Sequence, residues 1–199
     1  DGPRVLLLPL LRLQVAVRAV LLRVLGSKGV LAVGRVEERR PPGIVVLLQE
    51  AGRMNVLTGE IARSLDELRK GLLGQLNMSQ KMEDLLSALA IKQVPGRNPF
   101  HTASWEKFAW PSMKGLQDWF ADLILRCGQL TEWCAIDGLQ TPISVWFPGL
   151  FNPTAFLTAV KQVVARRNGL PLDNMATETH VTIYSREAEV ISQAKYPTD

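Results

Sequence analysis

Apolar residues recur at Met54, Leu57, Ile61, Leu65, Leu68, Leu72 and Leu76, in steps of three and four. That spacing keeps one stripe on one face of an α-helix. Arg63, Asp66, Glu67, Arg69 and Lys70 fill the other sides. The helix needs a partner surface for its stripe. Asn77 or Ser79 can cap a second helix, with Gln80 three positions after Asn77 as in a capping box. Its apolar face is Met82, Leu85, Leu86 and Leu89, and Pro95-Gly96 ends it. After a loop rich in aromatics and prolines, Ser112 is the expected N-cap of a third helix. Its stripe is Leu116, Trp119, Phe120, Leu123, Cys127, Leu130 and Cys134, closed by Asp137-Gly138.

The stretch "VWFPGLFNPTAFLTAV" raises a choice between a reactive loop and a buried hinge. Ile143 to Phe147 is β-prone, and Pro148-Gly149 is turn chemistry. Asn152 suits an N-cap and Pro153 the first helical position, where its missing N–H costs nothing. Phe156, Val160, Val163 and Val164 would form the helix's apolar face, Arg166 and Arg167 its last turn, and Gly169 its end. Every polar residue here has a local structural use, which favours the hinge. A second strand is expected in the alternating "THVTIYS". The sequence therefore predicts a mainly α fold: a helical subdomain of long amphipathic helices with one or two short strands.

Length and composition narrow the picture. The 199 residues suit one ordinary domain, in which roughly 70% of the unfolded surface is buried. Residues 1–48 carry +5 and the remainder −1, so the basic excess lies at one end and no basic stripe marks a nucleic-acid surface. The arm "VLLLPLLRLQVAVRAVLLRVL" is interrupted by Arg12, Arg18 and Arg23, each costing about 2.5–3.5 kcal/mol at the centre of a membrane span. It reads as a flexible extension first, then a membrane-surface helix or a targeting segment. Gly26 to Gly43, with its Pro41-Pro42 pair, is linker chemistry. The resulting division is an arm and linker over 1–43, a helical region over 44–189 and a polar tail over 190–199.

Catalytic motifs are scarce along the chain. A phosphate-binding loop needs Gly-x4-Gly-Lys-Ser/Thr, and Gly26-Ser27-Lys28 has the wrong order. His101 and His180 lack metal-ligand spacing. Cys127 and Cys134, seven apart on a helix, would have α-carbons about 10.5 Å apart, too far for a disulfide. Both read as packed thiols. The pairs Asp66-Glu67 and Glu83-Asp84 read as solvated faces. No catalytic, cofactor-binding or metal-binding residue is expected.

The ordered motifs nonetheless resemble one family. The pattern Q-E-x-x-R-x-N-x-L, then R-S-L-x-E-L-x-x-G-L-x-G, is met by Gln49, Glu50, Arg53, Asn55, Leu57, Arg63, Ser64, Leu65, Glu67, Leu68, Gly71, Leu72 and Gly74. Val94-Pro95, Ser104-Trp105, Pro111-Ser112 and Trp119 follow. V-W-x-x-G-F-F-N-P-x-x-F-L-T-A is met at Val145, Trp146, Gly149, Phe151, Asn152, Pro153, Phe156, Leu157, Thr158 and Ala159. This series, over roughly residues 41–189, resembles the C-terminal domain of dynein heavy chains, the axonemal outer-arm type above all.

Three departures stand out: extra residues between Pro95 and Ser104 with Trp110 in a Tyr position, Pro148 in a Ser/Thr position, and an end before the family's closing β-barrel. The resemblance implies a structural and regulatory, non-catalytic part of a minus-end-directed microtubule motor of the ciliary axoneme. The partners it implies are the dynein motor ring and other dynein subunits, with the microtubule reached only indirectly. From charge and motifs neither nucleic acid nor a cofactor is expected, and the arginines of the arm argue against a membrane span. The alternative is a free-standing helical adaptor with a membrane-surface N-terminal helix.

Overall fold

A computed structural model describes residues 41–98, 100, 102, 105–136, 141–142 and 144–181. The arm, the linker before Pro41, the Gly26-Ser27-Lys28 stretch, His101, Asp137-Gly138 and most of the second expected strand lie outside these residues. Four α-helices carry the fold: α1 (Pro42–Leu72), α2 (Gln80–Ala90), α3 (Leu116–Ala135) and α4 (Pro153–Asn168). Short 3-10 turns form at Glu106–Phe108, Phe147–Gly149 and Leu172–Asn174. Among the described residues there is no strand and no β-barrel. Two compact units divide these residues: Ala51–Gly128, and residues 41–50 with 129–181.

The stripe of α1 is buried as its spacing requires: Met54, Leu57, Ile61, Leu65 and Leu68 are all closed to solvent. Two features of the helix differ from expectation. It begins at Pro42, because Pro41-Pro42 acts as an entrance and not a stop; a proline at the first helical position loses no hydrogen bond. Val46, Leu47, Glu50 and Ala51 then continue the stripe backward. At the other end Gly74 takes a left-handed φ of 73°. The Gln75 N–H donates to the Lys70 carbonyl and the Gly74 N–H to the Gly71 carbonyl, the paired bonds that terminate a helix. Leu76 lies beyond this stop and is 44% exposed.

In α2 the cap is Ser79, whose N–H donates to the Met82 sulfur at 3.3 Å; Asn77 and a Gln80 capping box are not used. Gln80 instead donates to Asp84. The helix ends at Ala90, before Pro95-Gly96; just past it Lys92 adopts φ 55° and the Gln93 N–H donates to the Ala88 carbonyl. Met82 and Leu85 are buried, with Leu86 and Leu89 half-buried.

Helix α3 starts at Leu116, so Ser112 is not its N-cap. The Ser112 hydroxyl accepts the Lys114 N–H within a turn, while the Leu116 N–H at the helix start finds the Lys92 carbonyl at 3.0 Å. Trp119, Leu123, Cys127, Leu130 and Cys134 are buried as expected, and so are Arg126 and Trp133. In α4 Phe156 is buried, but Ala159 and Ala165 join it, whereas Val164 is 40% exposed. The Ala155 N–H donates to Asn152 Oδ1 at 3.1 Å, Pro153 sits at the first turn and Gly169 closes the helix with φ 63°.

Candidate functional site

In the unit formed by residues 41–50 and 129–181, the expected signature residues converge on one carboxylate. Glu50 projects from the first half of α1 and is 2% exposed. Its two oxygens each accept one backbone N–H, from Phe151 at 2.7 Å and from Asn152 at 2.8 Å. These N–H groups lie just ahead of α4, whose proline start supplies no donor of its own. The buried carboxylate therefore satisfies the turn's N–H groups and opposes the positive end of the helix dipole. Gln49, its neighbour, is exposed.

The same turn is held from α3 by Gln129. Its Oε1 accepts the Trp146 N–H at 2.7 Å and its Nε2 donates to the Trp146 carbonyl at 3.3 Å. One side-chain amide thus occupies both backbone groups that a strand partner would need, which is why the expected strand over residues 143–147 does not form among those described. Gly149 is buried, and a β-carbon there would collide with the Trp146 ring and approach Gln129 Nε2 at 3.0 Å. Pro148 is exposed at the second position of a 3-10 turn, where its fixed φ is already suitable. The missing donor leaves the turn intact: Gly149 and Leu150 donate to the Trp146 and Phe147 carbonyls. Phe156 packs edge-on against Trp133 at 5.4 Å and Phe147 at 6.0 Å. Leu157 and Pro153 are half-buried.

In the Ala51–Gly128 unit, signature residues meet at an aromatic stack. Trp105, 1% exposed, donates its indole N–H to Ser64 Oγ on α1 at 2.9 Å. Its ring lies 6.4 Å from Trp119, which stacks on Trp110 at 5.0 Å and 10°. Phe120 meets both Trp105 and Trp119 edge-on. The Arg126 guanidinium, buried, sits 3.9 Å from the Trp110 ring centre, so the Trp in the family's Tyr position provides a broad face for a cation. Gly71 is buried beneath the Met78 and Met82 sulfurs, and a β-carbon there would displace the Met78 side chain. Arg97 ties the intervening loop, donating to the Ser112 and Lys114 carbonyls at 2.8 and 2.9 Å.

The remaining candidates stay apart. Arg63 is exposed and its pKa is raised, first by its hydrogen bond to Glu60 and then by Glu67. Asp66 is held below its ordinary value by Lys70 and Arg69. Arg53 is exposed and Asn55 half-buried. Asp84 departs from the solvated face expected of it. It is 7% exposed and accepts the Thr102 N–H and hydroxyl, both at 2.8 Å, because the loop after α2 folds over it. Burial pushes the Cys127 thiol up to about 12, far from a reactive thiolate. His180 is exposed, 3.7 Å from Glu178. Among the described residues no group of three or more His, Cys, Asp or Glu is placed to hold a metal ion. No described helix is long and apolar enough to cross a membrane.

The geometry defines a helical module in which Glu50, Gly149, Asn152 and Pro153 fix a turn and a helix start. Known proteins give its class. The profile of the C-terminal domain of the dynein heavy chain matches residues 28–198. "Dynein beta chain, ciliary" of Heliocidaris crassispina is 47% identical over 154 residues, 77% of this chain. "Dynein axonemal heavy chain 9" of Homo sapiens is 47% identical over 150 residues, and "Dynein beta chain, flagellar outer arm" of Chlamydomonas reinhardtii 48% over 141, covering 75% and 71% of this chain. The protein belongs to this family, the C-terminal domains of dynein heavy chains. Its match spans 3% of the length of each of these relatives.

Proposed function

We propose that this protein is the non-catalytic, structural and regulatory C-terminal part of an axonemal dynein heavy chain. It acts within a minus-end-directed microtubule motor complex, in ciliary movement. Its partners are the motor ring of the heavy chain and other subunits of the complex, with the microtubule engaged only indirectly. It resides in the cytoskeleton, at the axoneme of the cilium. Residues 44–189 form the family domain, and the signature residues are structural.

The observation that carries this reading is the Glu50 cradle. Two signature segments a hundred residues apart in sequence are spent on one backbone turn, with the carboxylate fully engaged by N–H groups. A buried carboxylate held by two backbone N–H groups supports a structural use of Glu50. The purified protein is expected to give no ATP turnover, and turnover abolished by a substitution within residues 41–181 would sink the non-catalytic assignment. In an axonemal heavy chain whose C-terminal segment is replaced by this one, motility is expected to persist and to fail with Glu50→Ala. Motility indifferent to removal of the segment refutes the structural role.

A further inference from the structure

Two methionine sulfurs meet at the joint between α1 and α2. Gly71, buried in the last turn of α1, carries no side chain, and the sulfurs of Met78 and Met82 fill the place where one would stand. They lie 2.6 and 3.6 Å from the position of the missing β-carbon. The bare glycine is a socket for both. The two sulfurs differ in access and in use. Met78 stands in the exposed connection ahead of α2 and leaves 37% of its surface open, whereas Met82 is 6% exposed. The Met82 sulfur also accepts the Ser79 N–H at 3.3 Å, at the start of α2. Met78 is thus the outer member of the pair and Met82 the inner one. The two cysteines, Cys127 and Cys134, are buried, so neither thiol competes for an oxidant arriving from solvent.

We propose that Met78 and Met82 form an ordered, reversible oxidation site for hydrogen peroxide, in which Met78 reacts first and its departure from the Gly71 socket opens Met82. The step at each sulfur is a thioether oxidation. A sulfur lone pair attacks one peroxide oxygen, the O–O bond breaks, an S–O bond forms and water leaves. Sulfur loses the two electrons that the peroxide gains. The sulfoxide of Met78 is larger and polar, and the α-carbon of Gly71 offers it no hydrogen-bond donor, so the side chain turns out to water. At Met82 the added oxygen then places a polar, chiral group in a buried position and displaces the sulfur from the Ser79 N–H, which loosens the start of α2. Enzymatic reduction of the sulfoxides restores the joint.

The test treats the full-length protein with hydrogen peroxide and follows the sulfoxide at each methionine by peptide mass spectrometry. Met113, 93% exposed, is the open reference, and Met54, closed to solvent, is expected to react last. Met78 is expected to react about sixfold faster than Met82, the ratio of their exposures, with Met82 oxidation following a lag. Met78→Ala removes the cover and should abolish the lag and raise the Met82 rate about sixfold. Met78→Leu keeps the cover and cannot be oxidised, so it should hold Met82 at its slow initial rate. A Met82 rate equal in all three proteins overturns the proposal, and so does Met82 reacting ahead of Met78. Complete oxidation is expected to lower the melting midpoint by about 5 °C, and methionine sulfoxide reductase to restore it. The double variant Met78→Leu with Met82→Leu should melt unchanged although its Met113 is oxidised. An equal loss in that variant also overturns the proposal.

Discussion

Glu50 holds the backbone N–H groups of half-buried Phe151 and exposed Asn152, so the cost of losing it is set by what it leaves behind. A stranded buried donor costs about 1–3 kcal/mol and an exposed one can turn to water, so Glu50→Ala is expected to lower stability by about 1–3 kcal/mol in urea melts. Glu50→Gln keeps one acceptor and should lose about half as much. Gly149 presents the opposite case, a position where any addition collides. Gly149→Ala is expected to destabilise by about 1–3 kcal/mol, and pairing it with Trp146→Leu should recover part of the loss, which thermal melts of both variants would show.

Cys127 adds a pH dependence with a definite sign. Its thiol is held at about 12 against an unfolded 9.0, so the native state keeps a proton that the unfolded state releases. The contribution is intact below pH 9 and is lost as pH rises from there toward 12, with a slope of about 1.4 kcal/mol per pH unit. Cys127→Ala should flatten that slope in urea melts taken across the range.

At the level of elements, helix ends offer the sharpest test, because each is closed by a different device. Gly169 and Gly74 take their left-handed turns without cost, whereas Lys92 carries a β-carbon there at φ 55°. Lys92→Gly is expected to stabilise by about 0.5–1 kcal/mol in thermal melts. Asn152→Ala should cost about 1 kcal/mol.

These ends also mark how far the sequence could be read. The stripes of α1 and α3 and the Asn152-Pro153 start were legible because helical period and cap chemistry are local. Arg126 and Trp133 were legible too in principle, since they continue the three-and-four steps of Trp119, Leu123 and Leu130. The partner of Arg126, the Trp110 ring, lies outside that stripe and is not recorded by its period. The Glu50 cradle, the burial of Asp84 and the pairing of Gln129 with Trp146 were not legible. Each joins a side chain to backbone groups distant in sequence, and no periodicity records that. Pro148 illustrates the same limit from the other side: a missing donor matters only where an acceptor waits for it, and none of the turn's bonds needs it.

For the whole molecule, the exposed apolar side chains have the broadest consequence. Phe100, Met113, Ile91, Leu125 and Val56 each expose more than half their surface. A protein whose match spans 3% of its relatives' length is expected to present such surface where the rest of a longer protein would lie. In isolation it should therefore bind a hydrophobic dye and associate as concentration rises, measured by fluorescence and light scattering. A dye-silent monomer at all concentrations would favour a self-contained module instead.

The tryptophans also make the protein its own optical instrument. Trp105, Trp110 and Trp119 lie in the Ala51–Gly128 unit, while Trp133 and Trp146 belong to the other. The near-parallel rings of Trp110 and Trp119 bring two indole transition dipoles within 5.0 Å, close enough to share an excitation and split it into a paired circular-dichroism band. Replacing Trp133 and Trp146 by Phe leaves emission from one unit alone. Loss of the paired band then dates the moment that unit opens, with no dye or label attached.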